Sequence, residues 1–376
     1  MSERNSPLRS SPPPRKEGRG EGSKILPLSD FDFSYPEELL ATTPADPRDH
    51  SRLMAVDRRT SSIEHRRFFE IGRYLRPGDC LVLNRTKVLA CRLLGQKSTG
   101  GRAEILLVKE TEPGLFLAMG QRLKKGQRIE LPEGAHADIL EPAADGALLL
   151  RLTAPALEAF LREHGLPPLP PYILKAREAR LGAPAQGGVI EERRDAARYQ
   201  TVYAQDPGSI AAPTAGLHFT QPLIDEIRAS GVRVAEIALH VGLGTFKPVT
   251  VSDASLHRML PERYRVDPGA ADAILSAAAG GGRVVAVGTS VVRTLETLAR
   301  RPHGFSSGEG ETDLYLHPGD SFKIVSGLVT NFHLPRSTPL LLASAFLGRE
   351  RLLACYQEAF RERYRLFSYG DAMIIL

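Results

Sequence analysis

The chain has 376 residues, of which 42% are hydrophobic and 25% charged, with a formal net charge of +5. That length leaves room for two or three domains with a sizeable core, and the composition is that of an ordinary soluble globular protein. It gives no sign of a transmembrane helix, because no apolar run reaches the roughly 18 residues one needs.

Residues 1–24 hold six basic and three acidic residues among Ser, Pro and Gly. They read as a disordered basic tail, and without an apolar h-region they do not read as a signal peptide, so the cytoplasm is the expected compartment. Residues 25–78 open a folded domain, with FDFSYPEELL as an extended approach and then a short helix after Pro36. From 79 to 152 the pattern changes to short apolar or alternating runs (DCLVLNRT, LACRLLGQ, GRAEILLVKE, GLFLAMG, QRIEL, HADIL, ALLLRL) separated by turns. That spacing predicts an inserted small antiparallel β-barrel or sandwich. Residues 79–130 also carry ten Lys/Arg against five acids. The excess fits either a phosphate-contacting face or a merely soluble β surface.

Pro155 opens a helix through His164, LPPLPPYI (166–173) reads as a stiff linker, and 175–198 as a mobile loop with a short helix. From 199 onward helices and strands alternate: PLIDEIRAS, VRVAEIALHV, PGAADAILSAAA, RVVAVG, VVRTLETLARR, LVTNF, TPLLLASAFLG, RLLACYQEAFRERY and AMIIL. With 25–78, residues 153–376 are therefore expected to form a mainly parallel-sheet α/β domain.

Ligands in such sheets bind beyond the carboxyl ends of the strands. His240, Thr289 with Ser290, and Asn331 with His333 follow three predicted strands. They bring imidazole, hydroxyl and amide groups to one edge. His218 stands beside another flexible turn, in AAPTAGLHF (211–219). GTS (288–290) offers a helix N-terminus that favours an anion. Arg293, in the first turn of that helix, opposes the dipole and so wants a carboxylate, from the protein or from a ligand. Asp371, before the last strand, fits a turn cap or a site acid. GLGTFK (242–247) lacks the third glycine of a dinucleotide fingerprint, and Pro248 prevents a helix there. No histidine spacing suits a metal. The three cysteines (Cys80, Cys91, Cys355) form no metal or disulfide pattern.

At these residues the chain resembles the S-adenosylmethionine:tRNA ribosyltransferase-isomerase family of queuosine biosynthesis. VLNRTKVLACRL (82–93), YQTVYA with PGSIAAPTAGLHF (199–219), LHVGLGTFKPV (239–249), VVAVGTSVVRTLE (284–296), and LVTNFHLPRSTPLLLASAFLG with YRLFSYGDAMIIL carry the resemblance. It runs from about residue 31 to the C-terminus. Two departures stand out: Leu260 replaces a usual histidine after His257, and Ser290 replaces a usual threonine.

The resemblance implies an α/β domain with an inserted β-barrel in a monomeric, cytoplasmic enzyme. The ribosyl part of S-adenosylmethionine would move to the aminomethyl group of 7-aminomethyl-7-deazaguanine (preQ1) in a tRNA anticodon. Adenine and methionine would leave, and epoxyqueuosine would form. S-adenosylmethionine is then a co-substrate, with no cofactor or metal. Forming a sulfonium ylide needs a base and departing adenine needs a proton donor, roles that suit histidine.

On this reading His218, His240 and His333 surround the ribosyl centre with Asp371 nearby. Thr214 and Thr245 hold ribose hydroxyls and Arg293 meets the methionine carboxylate. Gly216, Gly242, Gly244, Thr289, Ser290 and Asn331 complete the substrate pocket. Phe219, Phe246 and Tyr369 are candidate stackers for the unpaired base, and Arg85, Lys87, Arg92, Lys124 and Lys125 the phosphate contacts. Without the resemblance, an α/β transferase on a nucleoside-like ligand, an RNA-binding module on the barrel, and a methyltransferase are the competing readings. The absent glycine fingerprint disfavours the last.

Overall fold

The computed structural model describes residues 25–181, 194–242, 244 and 249–376. The expected basic tail (1–24), part of the expected mobile loop, and Thr245 and Phe246 lie outside the described residues.

Nine strands form the large sheet, in the order β15 (Gly308–Thr312), β13 (Glu262–Val266), β12 (Arg233–Leu239), β3 (Cys80–Asn84), β14 (Val284–Val287), β16 (Gly327–Asn331), β17 (Ala372–Ile375), β1 (Arg52–Val56), β2 (Ile63–Arg67). The centre, β12-β3-β14-β16, is parallel throughout. The flanks are mixed: β17 runs antiparallel to β16 and parallel to β1, and β13, β15 and β2 pair antiparallel. β3, β14 and β16 are buried at every position. Burial on both sheet faces accounts for their continuous apolar sequences.

Six strands close the barrel: β5 (Arg92–Lys97), β6 (Arg102–Glu112), β7 (Leu115–Met119), β8 (Arg128–Glu130), β9 (His136–Pro142) and β10 (Leu148–Thr153). Alternation sets which residues fill it. In β7, Phe116 and Ala118 are buried between partly exposed neighbours. The barrel was expected to start at 79, and here the structure corrects the sequence reading. Cys80–Asn84 is a central strand of the large sheet. β4 (Thr86–Val88) pairs with β11 (Asp206–Ser209), so the barrel begins at Arg92. A short fully buried apolar run looks the same in either setting.

Seven helices are labelled here: α1 (Leu157–His164), α2 (Pro171–Leu181), α3 (Gln221–Ala229), α4 (Pro268–Ala279), α5 (Thr289–Ala299), α6 (Thr338–Leu347) and α7 (Arg349–Arg361). On α5, Val291, Val292, Leu295 and Leu298 are buried, the helical spacing of a core face. Each such side chain contributes roughly 1.5–3 kcal/mol on burial. Gly288, at φ +92°, makes the turn from β14 into α5, which a side-chain-bearing residue would strain. The segment 166–170 is buried rather than a free linker, and Pro171 starts α2. The three cysteines are free and buried, and burial pushes Cys80 up to about 11 and Cys91 to about 12, so both stay protonated thiols.

Candidate active site

The parallel strands β12, β3, β14 and β16 deliver their carboxyl ends to one edge of the sheet. β17 starts at this edge, since Asn331 pairs with Ala372, and so does β1, since Leu53 pairs with Ala372. A cavity of about 190 Å³ opens there. Thr214, Thr289, Ser290, Arg293, Asn331 and His333 line it, against apolar walls that include Val241, Met259 and Phe332.

His218 ends the short 3-10 helix Thr214–His218 and is 5% exposed. Its ring stacks on Phe68, with centroids 4.9 Å apart. The Asn331 amide nitrogen Nδ2 donates to His218 Nε2 at 3.1 Å and to the Phe367 carbonyl at 3.3 Å. Both amide hydrogens are then used, which fixes the flip of the amide. His218 Nε2 is the acceptor, so its ring proton sits on Nδ1 and donates to Ser51 Oγ at 2.7 Å. Burial first, then the Arg365 and Arg48 charges, push this imidazole down to about 3. His218 is a neutral anchor for Asn331 and does not itself line the cavity. Asn331 Oδ1 is buried without a hydrogen-bond partner in the described structure. A buried polar atom of this kind on a cavity wall awaits a ligand donor.

His333 lines the cavity. Its Nε2 meets Thr330 Oγ1 at 2.6 Å, and Tyr356 Oη accepts from its backbone N–H at 2.6 Å. Burial pushes His333 down to about 3. With Nε2 engaged, Nδ1 is the nitrogen left for a substrate. His240 follows β12 as expected but turns away. Its Nδ1 meets Thr86 Oγ1 at 3.1 Å, and it lies where a Cβ on Gly208 would come within 2.9 Å. Burial lowers its pKa, and it is absent from the cavity lining.

Unfolded, each of His218 and His333 takes up a proton near pH 6.5, at about the ordinary imidazole value. Folded, neither does so until about 3. The unfolded state therefore binds up to two more protons across that window. Stability from these groups is full above about pH 6.5 and falls as pH drops towards 3. Denaturant melts from pH 7.5 to 5 should show that loss, and His218→Gln should reduce its slope by about one proton. A slope unchanged in the variant contradicts the assignment.

Arg293 finds its carboxylate within the protein. It donates to Glu262 Oε2 through Nη1, to the Leu314 carbonyl at 2.8 Å and to the Thr312 carbonyl at 3.1 Å. Glu262 Oε1 accepts from the Gly242 N–H at 2.8 Å. Asp371 is likewise committed. It accepts from the backbone N–H of Arg52 at 3.0 Å and of Arg365 at 2.8 Å, and from the Arg365 guanidinium. It is 1% exposed and ties down the start of β17.

Two expected stackers are core residues. Phe219 is fully buried edge-on to Phe68, and the Tyr369 hydroxyl donates to Asp195 at 2.9 Å. Gly216 sits under the Tyr203 hydroxyl, 2.0 Å from where a Cβ would be. Gly242 stands against the Glu262 side chain and Gly244 against Leu260.

The basic residues divide similarly. Arg85 pairs with Asp206 and Asp267, and Arg92 is buried on Glu104, so neither presents a free cation to RNA. Lys87, Lys124 and Lys125 are exposed. Glu133, Glu163 and His164 are grouped closely enough to suit a metal, and none of the three lines the cavity.

Sequence reasoning missed Tyr172, Tyr315 and Thr330 in the cavity wall. The Tyr315 hydroxyl, like Asn331 Oδ1, is buried without a partner among the described residues. Tyr172 comes from a segment read as a linker and Thr330 from one read as a strand, and Tyr315 lies between two assigned elements, where no local pattern marks a binding role.

A family model described as queuosine biosynthesis protein matches residues 28–375. This chain belongs to that family. The S-adenosylmethionine:tRNA ribosyltransferase-isomerase of Thermotoga petrophila is 45% identical over 354 residues, covering 93% of this chain and 100% of the relative. The protein of the same name from Anaeromyxobacter sp. (strain K) is 48% identical over 361 residues, covering 93% and 99%. Among solved structures, the S-adenosylmethionine tRNA ribosyltransferase of Thermotoga maritima is similar, with a TM-score of 0.52 and 36% identity. The match covers 92% of this chain and all of that one. As a queuosine biosynthesis protein the chain is a transferase, and its barrel and mixed sheet are the fold in which the family's chemistry takes place. No described helix is long and apolar enough to cross a membrane.

Proposed function

We propose that this chain transfers and isomerises the ribosyl group of S-adenosylmethionine onto the aminomethyl group of preQ1 in a tRNA anticodon. Adenine and methionine are released and epoxyqueuosine-tRNA forms. One observation carries the reading: a family match over residues 28–375 whose strand carboxyl ends enclose a cavity with unfilled polar positions. S-adenosylmethionine is a co-substrate, and the enzyme works as a cytoplasmic monomer without a resident cofactor.

The cavity divides the work among its residues. The methionine carboxylate suits the N-terminus of α5, where Thr289 and Ser290 face the cavity and the helix dipole favours an anion. Arg293 supports that wall through Glu262 rather than binding the carboxylate. Asn331 Oδ1 accepts a donor of the substrate, and Thr214 is placed for a ribose hydroxyl. His333, neutral at physiological pH, is the imidazole positioned for proton transfer. The attacking amine must be neutral, and a carbonyl acceptor such as Asn331 Oδ1 can orient it without protonating it.

Incubation with preQ1-tRNA and S-adenosylmethionine should yield adenine, methionine and a mass gain on the tRNA. S-adenosylhomocysteine as product would make the chain a methyltransferase, and unchanged nucleotides would leave only RNA binding. The exposed lysines on the barrel supply phosphate contacts. Reversal of charge at Lys124 and Lys125 should raise the KM for tRNA and lessen its salt dependence by about two counterions. An unchanged KM would remove the barrel from the tRNA-binding face.

A further inference from the structure

The edge of the large sheet opposite the cavity carries a second, different feature. Where β1 ends and β3 and β14 begin, Arg58, Arg59, Arg76, Arg283 and Arg351 surround a hollow of about 520 Å³ that Asp57 and Leu376 also line, the Leu376 main-chain oxygen accepting from the Arg58 backbone N–H at 2.7 Å. Arg283 is committed. It donates to the Asp79 carboxylate at 2.6 Å and to the Tyr74 carbonyl at 2.7 Å. Asp57 closes its own turn, accepting from the backbone N–H groups of Arg59 at 2.7 Å and Thr60 at 2.9 Å.

The other four arginines form no ion pair with a carboxylate among the described residues. Two of them are held in place without one. The Arg58 guanidinium lies over the Phe346 ring at 4.2 Å, and Arg351 donates to the Arg58 carbonyl at 2.8 Å. This differs from the cavity edge, where Arg85, Arg293 and Arg365 are each satisfied by a carboxylate. Like charges gathered around a concave surface repel one another and attract anions. The planar guanidinium fork fits phosphate oxygens in particular.

We propose that this arginine hollow binds phosphates of the RNA backbone, as a contact for tRNA remote from the reacting base. The inference rests on the tRNA reading above. A five-residue strand spans about 17 Å, so phosphates in the hollow lie at least that far from the base in the cavity.

The test uses Arg59→Glu/Arg351→Glu, with Arg59→Gln/Arg351→Gln as the milder pair. Neither residue lines the cavity. KM for full-length preQ1-tRNA should rise about 10- to 100-fold, and the slope of its logarithm against log salt should fall by about two. The glutamine pair should show a smaller rise. kcat at saturating tRNA, KM for S-adenosylmethionine and Tm should be unchanged. A wild-type enzyme that modifies tRNA beside variants of unchanged KM and salt slope overturns the inference alone. So does a hollow that binds inorganic pyrophosphate, read as a Tm rise lost in the variants, without any change in tRNA KM. A wild-type protein that modifies no tRNA removes the reading underneath both.

Discussion

Arg293→Met should destabilise the protein by about 3–5 kcal/mol, because it leaves the Glu262 carboxylate buried without its counter-charge. Glu262 and Arg293 side chains are only 2% and 8% exposed, so solvent does little to screen the loss. For a chain of this size that is a fall in Tm of roughly 4–6 °C. Activity should fall as well. Glu262 holds the Gly242 N–H, and Arg293 fixes the carbonyls of Thr312 and Leu314 beside Tyr315. The double variant Glu262→Leu/Arg293→Met separates the two effects. Replacing both charges removes the unpaired carboxylate and should recover most of the Tm. It does not restore the contact to Gly242, so kcat/KM should stay low. An Arg293→Met protein with wild-type Tm would contradict the geometry, and a double variant with full activity would make the pair purely structural.

The second large effect belongs to Asn331. Asn331→Ala removes the acceptor in the cavity and should lower kcat/KM by about 5- to 150-fold, the range for leaving a buried substrate donor unpaired at about 1–3 kcal/mol. His218→Ala should show a similar fall, because Asn331 loses the partner that fixes its amide. His218→Gln can still accept at that position and should recover part of the rate. The shape of the pH–rate profile between pH 6 and 9 should not change in any of these variants, since His218 titrates near 3. A limb in that range lost in His218→Gln would make His218 the base, and would overturn its role as anchor.

Much of the frame could be read from residue order. Period-two runs marked the barrel, and alternating apolar helices and strands marked the α/β layers. The rule of strand carboxyl ends brought Thr289, Ser290, Asn331 and His333 to one cavity, where the structure places them. What sequence could not show is which groups were already occupied. Arg293 lies 31 positions from Glu262, and Asp371 is bound to backbone 319 positions away at Arg52. No local pattern encodes such partners, so the sequence left Arg293 to a carboxylate of the protein or of a ligand and Asp371 to a turn or a site acid, and in the structure both are internal supports. Strand-end position also does not give side-chain direction, which is why His240 reaches the edge yet faces Thr86 and Gly208. Cys80–Asn84 was assigned to the barrel because a five-residue apolar run carries no mark of whether it is a barrel stave or a central parallel strand.

The central claim is that S-adenosylmethionine gives up its ribosyl group rather than its methyl group. Two labelled samples decide it, one carrying the label in the ribose and one in the S-methyl group. With preQ1-tRNA, the ribose label should enter the tRNA as adenine appears, and the methyl label should leave in methionine. Methyl label in the tRNA, with the ribose label retained in S-adenosylhomocysteine, would contradict the account.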